Sequence, residues 1–331
     1  MITRRDLICA LGVGSLAAPF TAFAQQPGKV WRVGYLAQTV RPRDVAAANA
    51  AGGFVRGLRE LGYVEGRNLV IEWRFADNNV ERLPGLAAKL MQLKVDVLLT
   101  PSPEATRAAQ QATKTIPIVM GSVGDPVGFG FVSSLGRPGG NITGVATLTI
   151  DLGPKRLEML LAMAPRVSRV AVLLNPAAST GQQALQSIQA AATQRRITIL
   201  PVYVGTNLEI ETGFAAMARQ KAGALIVPAN PLFNSQRNQI GELTLKHRLP
   251  AITADRMFVE TGSLMSYGTS LAEDLHRAAT YVDKIFKGAK PADLPVEQPT
   301  RLALVINGKT AKSIGIVIPK ELLLQAETVM E

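Results

Sequence analysis

Along this chain, short runs of apolar and largely β-branched residues alternate with longer stretches whose apolar positions recur every three to four residues. In the first half the short runs are 31–36, 69–75, 95–100, 116–121 and 142–146, each predicting a strand. Between them the pattern predicts helices near 46–61, 81–93 and 104–113. Phe54, Leu58 and Leu61 then share one helical face. Leu83, Leu86, Leu90 and Leu93 form a similar stripe opposite Glu81, Arg82 and Lys89. Such stripes are packing surfaces and carry no chemistry by themselves.

The second half repeats the scheme, with strands predicted at 169–174, 197–204, 224–228 and 250–253 and helices near 180–195, 209–220 and 235–247. Two successive strand–helix series predict two parallel sheets, each covered by helices on both faces. The ending departs from duplication. An extended run at 262–268 precedes a helix at 271–287, then a proline-rich passage, Pro291 to Pro299, leads into 301–307. Proline resists both helix and ladder pairing, so this passage suits a crossing between lobes. A helix near 309–313, a run at 316–319 and a closing helical tail complete the reading.

Residues 1–24 have a different character. Arg4 and Arg5 precede an apolar stretch from Leu7 to Phe20, and Ala22-Phe23-Ala24 supplies a small-x-small end. This order predicts a secretory signal cut after Ala24, hence a soluble mature protein in the periplasm. Thr3 to Ile8 also resembles a twin-arginine export motif, with Leu7 where Phe is usual, so both export routes stay open. Gly12, Gly14 and Pro19 argue against a buried helix or a membrane span. Cys9, the chain's one cysteine, falls inside this segment. The mature chain therefore lacks disulfides, a thiol nucleophile and thiolate ligands.

With 36 Lys and Arg against 25 Asp and Glu, the formal net charge is +11. The basic residues are scattered and do not interleave with aromatics, which weighs against nucleic acid as a partner. A basic surface favouring acidic ligands or headgroups remains.

In open parallel sheets, ligands bind beyond the carboxyl ends of the strands. That rule selects Gln38 and Thr39, Thr100-Pro-Ser102-Pro-Glu104, and Ser122 to Asp125 in the first half. In the second it selects Asn175-Pro176, Asn230-Pro231 and Asp255-Arg256. Ser102 can cap the following helix with Pro103 in its first position, leaving backbone N–H groups for a carboxylate or phosphate. Asp125 suits a ligand contact or a turn. Asp255 could meet a ligand ammonium, pair with Arg256 or cap a helix.

Enzyme signatures are missing. His247 and His276 are the only histidines, and neither has a neighbour at metal-ligand spacing. His247 beside Lys246 and Arg248 fits charge pairing at a helix end. No G-x-S-x-G elbow occurs, and Gly308-Lys309-Thr310 lacks the first glycine of a phosphate loop, with Ala303 in its place. The expectation is a non-enzyme without metal or cofactor.

Longer motifs carry a family resemblance. Segments 58–68 (LRELGYVEGRN), 117–127 (PIVMGSVGDPV), 137–144 (RPGGNITG), 247–251 (HRLPA), 262–268 (GSLMSYG) and 279–295 (AATYVDKIFKGAKPADLP) resemble the ABC-transporter substrate-binding family that includes TrpX-like proteins. The resemblance spans nearly all of the chain after residue 24. It implies a type I periplasmic-binding-protein fold: α/β, two doubly wound parallel-sheet lobes joined by three crossovers, closing on a ligand. The first lobe would comprise 29–145 with about 269–292, and the second 146–268 with about 293–331. By position, Gln38, Thr100, Ser102, Ser122 and Asp125 would line one side of the cleft and Asn175, Asn230 and Asp255 the other, with Tyr267 near a hinge. The implied role is capture of a small, carboxylate-bearing, amino-acid-like solute for an inner-membrane ABC permease, by a monomer. A periplasmic sensor that presents its closed form to a signalling receptor would use the same cleft.

Overall fold

The computed structural model describes residues 29–45, 49–147, 152–298 and 302–331; the expected export segment, 1–24, lies outside them. Its first lobe is built from β1 (Trp31–Ala37), α1 (Asn49–Glu60), β2 (Leu69–Phe75), α2 (Leu83–Gln92), β3 (Val97–Thr100), α3 (Pro103–Ala112), β4 (Ile118–Val123) and β5 (Ile142–Ala146). The strands form a parallel sheet in the order β2-β1-β3-β4-β5. Helices cover both faces, so central strands such as β3 are buried along their length, as parallel sheets require. Tyr35, Phe54 and Leu58 belong to the core on one face, Leu36, Leu90 and Leu98 to that on the other. Leu61, expected on the α1 stripe, lies past the helix end and is exposed.

Strand ends differ from the sequence pattern for local reasons. Asp96 accepts a hydrogen bond from the Arg32 amide at 2.8 Å, so β3 begins only at Val97. β4 continues past Gly121 to Val123, with a register shift between Met120 and Val123, and this extension carries Ser122.

The second lobe contains α4 (Gly153–Met163), β6 (Arg169–Leu174), α5 (Gly181–Gln194), β7 (Thr198–Tyr203), α6 (Glu209–Arg219), β8 (Ala224–Val227), α7 (Pro231–Ser235), α8 (Arg237–Lys246), β9 (Ala251–Thr253), α9 (Met257–Glu260) and β10 (Met265–Gly268). The chain then forms α10 (Leu271–Phe286) before adding β11 (Ala303–Asn307), α11 (Gly308–Ile314), α12 (Lys320–Gln325) and β12 (Thr328–Met330). The second sheet runs β12-β11-β10-β9-β8-β6-β7. It is not wholly parallel: β10 and β11 pair antiparallel, because the chain re-enters the sheet from the other lobe. The tail is only partly helical, since β12 pairs in parallel with β11 at the sheet edge. The sequence pattern does not single out α4, whose apolar face is interrupted by the buried Arg156.

Three passages link the lobes. β5 leads to α4, whose Leu157 and Leu160 sit in the second lobe's core. β10 leads to α10, whose Leu275, Ala278 and Val282 sit in the first lobe's core. The chain then returns to β11 after Glu297, which pairs with β5: its carbonyl accepts from the Ala146 amide at 2.8 Å. Of these, α10 packs closely on α1. A Cβ on Gly57 would lie 2.7 Å from the His276 carbonyl oxygen, and one on Gly53 would collide with that of Ala272. Only glycine lets α1 and α10 approach this far.

Candidate functional site

The strand ends of both lobes and the β10–α10 passage surround a cavity of about 500 Å³. One wall is apolar: Tyr35 and Phe75, with ring centroids 5.7 Å apart, stand beside Ala51 and Leu271. Tyr35 is also 4.7 Å from Trp73, so the wall is backed by a packed aromatic cluster. Burial pushes the Tyr35 phenol well above its ordinary pKa, keeping it neutral.

Polar groups converge from the other sides. Gln38, at the end of β1, is 2% exposed, and its Oε1 has no hydrogen-bond partner. Ser102 caps α3, its Oγ accepting from the Ala105 amide at 3.3 Å, with Pro103 in the first helical position. Asn230 caps α7 in the same way, accepting from the Leu232 amide at 2.9 Å. Arg41 and Arg237 bring positive charge to the lining.

Two buried carboxylates face the same space, one from each lobe. Asp255 accepts from the Met257 amide at 2.9 Å and, through its other oxygen, from the Leu271 amide at 3.3 Å. Asp274, in the first turn of α10, uses Oδ2 to accept from Thr269 at 3.1 Å and Ser122 at 3.4 Å. Burial raises the Asp255 pKa, against the pull of its two backbone amides. Burial likewise pushes Asp274 up to about 7; the two hydroxyls oppose this, while the charges of Asp255 and Glu273 add to it. Arg256, the cation next to Asp255 in sequence, pairs with Glu260 at 3.7 Å.

Gln38, Ser102, Ser122, Asn230 and Asp255 therefore line one cavity. Four other expected site residues do not. Thr100 is held beneath α3, its hydroxyl 2.8 Å from that of Thr106. Asp125 closes a turn by accepting from the Gly128 amide at 2.8 Å. Asn175 stands behind Asn230, donating to its Oδ1 at 3.4 Å and accepting from the Ala177 amide. Tyr267 packs on the second lobe's core, and its carbonyl accepts from Arg156 Nε at 2.8 Å.

Asp274 escapes the strand-end rule because it follows a crossing between lobes and not a strand-to-helix loop within one. A signal does exist. Asp274, Ala278, Tyr281, Val282 and Ile285 recur at helical spacing, placing a carboxylate on an otherwise apolar stripe. Among the described residues no group of three or more His, Cys, Asp and Glu could hold a metal ion. His276 instead lies 2.8 Å from Glu60, while His247 follows the end of α8 with its ring 5.8 Å from that of Phe214.

The lobes meet across the cleft. Glu104 of α3 accepts from both the amide and the hydroxyl of Ser179, and Asn78 donates to Ser235 at 3.4 Å. These contacts bridge the two lobes.

Comparison with known proteins agrees with this architecture. The chain is 27% identical over 268 residues to the tyrosine-binding protein of Clostridioides difficile, covering 81% of this chain and 76% of that one. It superposes on a conserved domain protein from Vibrio cholerae with a TM-score of 0.82 at 26% identity, over 91% of this chain and all of that one. An ABC domain from Streptococcus pneumonia, solved in complex with L-Trp, superposes with a TM-score of 0.80 at 24% identity, over 91% of this chain and 99% of that one. The family model for ABC transporter substrate binding proteins matches residues 43–330, and the chain, with its type I periplasmic-binding-protein fold, belongs to that family.

Proposed function

We propose that this chain is the periplasmic solute receptor of an ABC importer and encloses an amino-acid-like ligand between its lobes. The observation that carries this reading is the cavity of about 500 Å³, apolar on one wall and lined by buried carboxylates where the chain crosses between lobes. That size suits a small organic ligand, since such pockets run to roughly 300–1,000 Å³. Tyr35 and Phe75 offer a flat apolar surface for a side chain, aromatic ones included. Arg41 and Arg237 supply the positive charge a ligand carboxylate needs. The name of the Clostridioides difficile relative supports a ligand of this class. The receptor acts as a monomer, without catalysis, after removal of residues 1–24, and hands its ligand to an inner-membrane permease.

Thermal denaturation with each proteinogenic L-amino acid, followed by calorimetry and solution scattering, tests the reading. A binding amino acid at a hundredfold excess over Kd raises stability by about 2.7 kcal/mol and gives a more compact particle. No shift and no compaction with any of them overturns it.

A further inference from the structure

The cavity holds acceptors in excess of cations where the chain passes from β10 to α10. Asp274 lies on the buried stripe of α10, where packing alone would favour an apolar residue. A buried carboxylate is unfavourable unless paired or hydrogen-bonded. Two hydroxyls, of Thr269 and Ser122, both donate to Oδ2 and fix the orientation of the group. Oδ1 accepts no hydrogen bond among the described residues, and the side chain lines the cavity. Asp255 faces the same space from the opposite lobe, and neither carboxylate forms an ion pair among the described residues. Gln38 Oε1 adds a third acceptor lacking a partner, on a residue that is 2% exposed.

An alkylammonium is the chemical complement of this arrangement: it has three donors, no acceptor, and one positive charge. We propose that Asp274 recognises the ligand's ammonium group, with Asp255 and Gln38 supporting, so that the receptor selects primary amines over their des-amino counterparts. This inference rests on the cavity being the site of an amino-acid-like ligand. The two serve different ends: the cavity sets ligand size, whereas Asp274 sets the charge that the ligand must carry.

The test pairs each proteinogenic L-amino acid with its des-amino acid, for example L-tyrosine with 3-(4-hydroxyphenyl)propanoate, in calorimetry against the wild-type chain and Asp274→Asn. The Asn variant keeps the shape and an acceptor for Thr269 and Ser122. The wild type should bind the amine about tenfold or more tightly than its des-amino partner, as expected for a charged hydrogen bond. Asp274→Asn should lose about that factor for the amine while changing the des-amino acid by less than about threefold. Equal binding of both partners by the wild type, preference for the des-amino acid, or undiminished amine affinity in the variant overturns the inference and leaves the proposed function standing. Failure of the wild type to bind any member of either set overturns both. If Asp274→Asn does not fold, Asp255→Asn decides the matter: it should keep most of the wild-type preference for the amine, and complete loss of that preference would assign the ammonium to Asp255 and overturn the inference.

Discussion

Glu104 accepts two hydrogen bonds from Ser179, from its amide at 3.2 Å and its hydroxyl at 3.0 Å, although the two residues belong to different lobes. Ser179 sits just before α5, so the Glu104 carboxylate reaches toward the positive end of that helix. Both groups are solvent-accessible, which limits the strength of the contact. Its effect is on the balance between open and closed lobes. Ser179→Ala should raise the Kd of a bound amino acid by about two- to fivefold, through faster dissociation in stopped-flow. In a Glu104→Gln background the same change should add little, and full additivity would disconnect the pair.

Asp274 predicts a pH dependence of stability with a definite sign. Its folded-state pKa, about 7, exceeds the ordinary value of 3.8. The folded protein therefore binds this proton more tightly than the unfolded chain does. The associated stability is present below pH 3.8 and is lost as pH rises to 7. Asp274→Asn removes the titration, so the variant should gain on the wild type between pH 4.5 and 8. The expected gain in urea unfolding is on the order of 3 kcal/mol. Parallel pH profiles would mean that the carboxylate is not perturbed.

The seat of α10 on α1 links packing to the site. Gly53→Ala would drive a methyl group into the Ala272 carbonyl, two residues before Asp274. It should destabilise the fold by about 1–3 kcal/mol and also weaken ligand binding, because α10 must shift. Gly85→Ala, inside α2 with nothing near its Cβ position, should instead stabilise the chain by about 0.4–1 kcal/mol and leave binding unchanged. Denaturation and calorimetry on the two variants separate these outcomes.

Residues outside the cavity should behave differently from those lining it. Asp125→Ala breaks a turn contact and should leave ligand affinity within about twofold, with a stability loss of about 1 kcal/mol. A large loss of affinity would place Asp125 at the ligand after all.

Much of the architecture is readable from periodicity, because parallel strands buried on both faces give unbroken apolar runs such as 97–99 and 170–174. The strand-end rule reaches Ser102 and Asn230 for a local reason: each caps the helix that follows. Thr100 and Asp125, which the same rule selects, lie outside the cavity lining, where an equally local bond turns the side chain inward or back on its own loop. Asp274 and the α1–α10 contact depend on pairings distant in sequence, as His276 and Glu60 illustrate with a separation of 216 residues. The antiparallel placement of β11 is of the same kind, fixed by the direction from which the chain returns.

The remote origin of α10 also bears on the order of folding. A nascent chain ending before α10 would leave Phe54 and Leu58 of α1 without Leu275, Ala278 and Val282 to cover them. The first lobe is therefore completed only after the second lobe's strands through β10 have been synthesised. Its amino-terminal strands must wait for most of the chain, a high-contact-order arrangement that slows folding and ties completion of the first lobe to synthesis of the second.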